Sequence, residues 1–98
     1  SVLRPAFNEL TEERLSTEIE QEVERLVLAT PEVQGIRQLH TRSLGQGYAI
    51  EIDILVDGRM SVTEGHNITL IIEQELRHQY GAETHIAIHV EPAELPHL

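Results

Sequence analysis

From Tyr48 to Val56 the chain alternates, with Ile50, Ile52 and Ile54 on one parity and Glu51 and Asp53 on the other. Successive side chains of a strand point to opposite faces, so this run predicts a half-buried strand with an isoleucine face and a carboxylate face. His85 to Glu91 has the same period: Ile86, Ile88 and Val90 toward a core, His85, His89 and Glu91 away from it. Elsewhere the period is helical. Leu15, Ile19, Val23, Leu26 and Val27 recur at helical spacing with Glu and Gln between them. Two starts compete for this helix: Thr11, with Leu10 and Leu15 as a hydrophobic staple, or Thr17, with Glu20 completing a capping box. Thr30-Pro31 should end it, because the residue before proline is pushed out of the helical region. Ser61-Val-Thr-Glu64 is a second capping box, which predicts a helix from about Val62 to Tyr80. Its apolar stripe reads Ile68, Ile71, Ile72 and Leu76, and Gly81 closes it. Val33 to Leu44 is a further strand candidate, interrupted at Gly35.

The order is helix, strand, strand, helix, strand. Gly45-Gln46-Gly47 is a short turn, so the first two strands form an antiparallel hairpin. The second helix is a crossover, which makes the last strand parallel to the second with a right-handed connection. If those strands are neighbours, Asp53 and His89 sit at similar depths. The expected fold is α+β: a three-stranded mixed sheet covered by two helices on one face, the other face open. Residues 1–14 read as an arm and helix lead-in, with Pro5 against a clean helix, and residues 93–98 as a tail.

Composition changes this picture in a few ways. A chain of 98 residues makes one domain. At that size it buries only about 60–65% of the surface its unfolded form exposes, so a partner subunit or a metal is expected to help. Aromatic residues are only 3%, so the core should be Ile, Leu and Val. The formal net charge of -10 argues against nucleic acid and against an anionic membrane surface, and suits the attraction of cations. There is no cysteine, which excludes disulfides, thiolate metal sites and thiol chemistry. No apolar run of about 18 residues is present, and no signal peptide is visible. The start at Ser1, without an initiator methionine, suggests a piece of something longer.

The open face would gather carboxylates and imidazoles, the donor set of a first-row divalent metal. A histidine in the first turn of a helix, where the sequence places His66, has its charged form disfavoured by the helix dipole, which favours the neutral, ligating imidazole. His85 lies on the same predicted face as His89, while His78 and His97 read as solvated. The glutamates of the first helix, among them Glu18, Glu20, Glu22 and Glu24, read as a solvated face. An enzyme is not expected. There is no glycine-rich phosphate loop and no nucleophile–base pair, and carboxylates on an open sheet face are too solvated for strong tuning.

The runs Leu39-His-Thr-Arg-Ser-Leu-Gly45, Ser61-Val-Thr-Glu-Gly-His66 and His89-Val-Glu-Pro92 resemble the cytosolic C-terminal domain of cation diffusion facilitators, the membrane metal-ion/proton antiporters. The resemblance covers roughly residues 15–92. It implies a ferredoxin-like, metallochaperone-like fold and a V-shaped homodimer. It also implies a divalent metal held between protomers and promotion of transport by the protein's own transmembrane domain. Carried over by position, the metal ligands are Asp53 on the middle strand, His66 at the start of the second helix, and His89 and Glu91 on the last strand. A further ligand of some zinc-transporting members falls on Arg37, which stays protonated and cannot ligate. Either His40 and His85 substitute there, or the site is mononuclear and weaker. Zinc is the first expectation, with iron, manganese, cobalt or cadmium also suited to such donors. The function implied is a cytosolic metal-sensing homodimerisation domain regulating divalent cation efflux, with Leu44 and Leu95 as candidates for the seam. Two alternatives stand beside it: a ferredoxin-like regulatory domain binding a small molecule, and a purely structural dimerisation module.

Overall fold

Gly47 adopts φ 70°, the left-handed conformation glycine takes without penalty. A Cβ there would lie 3.2 Å from backbone atoms of Glu83 and Thr84, so the turn also needs glycine for closeness. This turn joins β1 (Gly35–Ser43) to β2 (Tyr48–Val56), closed by Leu44 N–H donating to the Gly47 carbonyl at 3.1 Å. The computed structural model describes residues 17–94. Helix α1 runs through residues 17–28, and α2 (Val62–Tyr80) leads to β3 (His85–Pro92). The sheet order is β1-β2-β3, with β1 and β2 antiparallel and β2 and β3 parallel. This is the α+β, ferredoxin-like arrangement expected. The choice of Thr11 as helix start, and expectations on Leu95 and His97, lie outside the described residues.

Helix α2 begins where its capping box places it. Ser61 Oγ accepts from Glu64 N–H at 3.0 Å, and Glu64 Oε1 accepts from Ser61 N–H at 3.2 Å. It ends at Gly81, φ 109°, whose N–H donates to the Arg77 carbonyl at 2.8 Å. Its buried stripe is Gly65, Ile68, Thr69, Ile72 and Leu76. Ile71, expected in that stripe, is 50% exposed. It sits about 120° round the helix from the stripe's centre. Thr69 takes the inner position instead, its hydroxyl satisfied by donating to the His66 carbonyl at 2.7 Å.

Val23 and Val27 of α1, Ile50, Ile52 and Ile54 of β2, and Ile72 and Leu76 of α2 form the most deeply buried set. Both helices therefore pack on one sheet face. Strand β3 departs from the expectation: Ile86 and Ile88 are half-buried, and Val90 is 38% exposed. It is an edge strand, so nothing on its outer side completes the burial that β2 enjoys at the centre. Strand β1 starts at Gly35 rather than Val33. Val33 is buried in the preceding turn, its N–H donating to the Thr30 carbonyl at 3.0 Å.

Glu22 ties α1 to α2, accepting from Tyr80 Oη at 2.6 Å and from Gln79 Nε2 at 3.1 Å. Burial, then the Glu22 hydrogen bond, hold the Tyr80 phenol well above its ordinary range. A raised native value means that stability is complete below the unfolded value of about 10 and declines as pH rises past it. Tyr80→Phe should therefore cost about 1 kcal/mol at neutral pH and remove that alkaline decline, as read by urea denaturation across pH. A variant as stable as wild type at pH 7 and equally sensitive to alkali would show that the bond contributes nothing.

Candidate metal centre

Parallel pairing of β2 with β3 sets Asp53 opposite His89, with Glu51 opposite Ala87 and Leu55 opposite Glu91. On the other side of β2, Gln38 is the register partner of Asp53. All of these lie on the face away from the helices. The register brings a carboxylate and an imidazole from distant parts of the chain to one depth. His89 Nδ1 and Asp53 Oδ1 are 3.0 Å apart. The Asp53 side chain is 19% exposed and that of His89 74%. In neutral His89 the donor to the carboxylate is Nδ1–H, which leaves the Nε2 lone pair facing solvent. A carboxylate that orients an imidazole in this way also raises its basicity as a ligand.

The other two expected donors stand elsewhere. Glu91 is ion-paired: Arg37 Nη1 donates to its Oε1 at 2.6 Å. His66 is exposed one turn into α2, in the helix layer on the far side of the sheet from Asp53 and His89. Together with Glu91 it borders a cleft of about 460 Å³ between the start of α2 and the end of β3, whose walls include Val56, Met60, Val62 and Val90. Among the described residues, no group of three or more carboxylates and histidines is close enough to hold a metal. The single chain thus offers two donors at one point. A divalent ion takes four or more, so the remainder must come from water or from a second copy.

Two further contacts bear on the charge of this surface. Asp57, just after β2, is held at about 2 by hydrogen bonds from Arg59, its Nη2 donating at 2.9 Å and its Nε at 3.1 Å. That carboxylate is committed to its own turn. The Arg37–Glu91 pair is the contact that alternation alone misses. A signal for it exists: Ile36 and Leu39 are apolar three apart, and two residues between inward positions of a strand imply a bulge.

Residues 15–93 match the family described as cation efflux protein, cytoplasmic domain. Among solved structures, the cytosolic domain of a cation diffusion facilitator family protein is 31% identical, with a TM-score of 0.72, covering 82% of this chain and 95% of that one. The metal-bound C-terminal domain of the CzcD transporter from Thermotoga maritima is 29% identical, with a TM-score of 0.73, covering 85% of this chain and 98% of that one. The manganese efflux system protein MneP of Bacillus subtilis (strain 168) is 23% identical over 91 residues, which is 93% of this chain. The chain spans 31% of the length of that relative.

Proposed function

As a member of the family of cation efflux protein cytoplasmic domains, this chain serves, we propose, as a metal-sensing homodimerisation domain that regulates divalent cation export by an attached transmembrane part. The observation that carries the reading is the Asp53–His89 pair. Asp53 Oδ1 and His89 Nδ1 meet at 3.0 Å on an open sheet face, and with the ring proton on Nε2 both lone pairs are available to one ion. Two such faces, one from each protomer, supply four donors of the kind a divalent ion takes.

Asp53 and His89 hold the ion in this reading, and a bound ion supplies positive charge between faces that otherwise repel. Glu51 and Asp53 contribute that repulsion, while Arg37 offsets Glu91. Close approach of like charges costs roughly 1–4 kcal/mol per pair, depending on the local dielectric. Ligands drawn from both chains bind the closed arrangement only, so occupancy shifts the population toward it, and the bias passes to whatever is joined to the domain. His66 and Glu91 are the auxiliary donors that the resemblance implies; neither reaches the pair within one chain, and Arg37 holds Glu91. Zinc is the ion proposed, because mixed carboxylate and imidazole donors suit it, with manganese as the competitor to test.

Spin labels at exposed Glu75 on the two protomers, read with and without zinc, test the mechanism. The expected result is a shorter and narrower distance at saturation, with about 2.7 kcal/mol of added stability at a hundredfold excess over the dissociation constant. An unchanged distance at saturating zinc rejects closure. Absence of any zinc heat in calorimetry returns the domain to a purely structural dimerisation role.

A further inference from the structure

Arg37 reaches the open face because β1 bulges between Ile36 and Gln38. Ile36 pairs with Ile54 and Leu39 with Ile52, all toward the core, so Arg37 and Gln38 together occupy a single outward position. From there the guanidinium meets Glu91, the β3 register partner of Leu55, at 2.6 Å across the central strand. Glu91 lies on the same face as His89, two residues further along β3, or roughly 7 Å. We infer that Arg37 is a built-in countercation that withholds Glu91 from metal, leaving Asp53 and His89 as the donors that meet at one point on each protomer's open face. The inference rests on the proposed metal-binding role of that pair.

The physical reason is competition for one carboxylate. A guanidinium is charged at every accessible pH, donates and never accepts, and binds a carboxylate in a fixed fork. At 2.6 Å the contact is at the short, charge-assisted end of such bonds. It occupies Oε1, and it adds a positive charge beside the place where a divalent ion would sit. Lysine would keep the charge; glutamine would remove it with little change of size.

Zinc calorimetry on the whole chain tests this in wild type, Arg37→Gln, Arg37→Lys and the Arg37→Gln/Glu91→Gln double variant. Loss of one positive charge beside the site should tighten zinc binding about tenfold in Arg37→Gln. Arg37→Lys should stay near wild type, and the added Glu91→Gln should return affinity to the wild-type value. Arg37→Gln titrating like wild type overturns the inference, and so does a gain that survives Glu91→Gln. An Asp53→Ala/His89→Ala arm judges the underlying reading separately. Loss of zinc there with no gain in Arg37→Gln leaves the metal centre standing and sinks the countercation. A Glu91-dependent gain in Arg37→Gln, with zinc binding indifferent to Asp53 and His89, rejects the Asp53–His89 centre and with it the inference as stated, and places the metal at Glu91.

Discussion

Replacing Asp53 and His89 together by alanine is expected to abolish zinc binding while leaving the domain folded. Each side chain stands on the face away from the core, and their mutual contact is exposed on the His89 side, with 74% of that side chain open to water. Exposed pairs contribute about 0–1 kcal/mol, so the double variant should melt within a few degrees of wild type in the absence of metal. Binding is another matter. If each protomer gives two donors, the double change removes all four that the reading assigns to the ion. Each single substitution should weaken binding by about tenfold or more, since loss even of a ligand's supporting partner costs 10–100-fold. Protons compete with the metal for imidazole nitrogen, so wild-type binding should weaken as pH falls. Calorimetry on the metal-free chain measures all of this. Zinc affinity unchanged by the double substitution would place the site elsewhere.

Ile52→Ala should be the most damaging single core change. Ile52 is 1% exposed at the middle of the central strand, flanked by Leu39 on β1 and Ile88 on β3 and packed in the cluster with α1 and α2. Truncating a buried isoleucine costs about 2–5 kcal/mol, because the lost methylenes leave a cavity that neighbours only partly fill. A domain of this size has about 5–15 kcal/mol in all, and nearer the lower figure when its core is small. A fall in melting temperature of about 10–25 °C follows, measured by circular dichroism. Ile71→Ala is the contrasting control. At 50% exposure it should cost under about 1 kcal/mol. Equal losses from the two substitutions would mean that the stripe runs through Ile71 after all, or that another molecule covers it.

The elements were legible in the sequence where one local rule acted alone. The Ser61–Glu64 capping box and Gly81 place both ends of α2 without help from the rest of the chain, and the isoleucine alternation places β2. Strand β1 was less legible because its bulge breaks the alternation, so the outward pair Arg37 and Gln38 is not announced by period. Val90 misled for a different reason. Its parity is inward, yet burial needs a neighbour on both sides, and an edge strand has only one. Ile71 misled because an apolar residue within a helical run need not lie on the stripe that faces the sheet.

For the candidate site, residue types and parity were available from the chain alone: Asp53, His89 and Glu91 face outward because Ile52, Ile54 and Ile88 face inward. Strand period is a local property set by backbone geometry, so it can be read from order. Which outward residues meet is decided by register between segments far apart in sequence, and by side-chain charge. The parallel β2–β3 register joins Asp53 to His89 at 3.0 Å. The bulge in β1 turns Arg37 toward Glu91 and takes that carboxylate out of reach. His66 stays in the helix layer. The sequence alone determined the elements, the open face and its stock of donors. The Asp53–His89 apposition was foreshadowed by their similar places in the two strands; the tertiary structure alone decided that Glu91 is paired to Arg37 and His66 held in the helix layer, because charge compensation and layer packing are long-range and no local pattern encodes them.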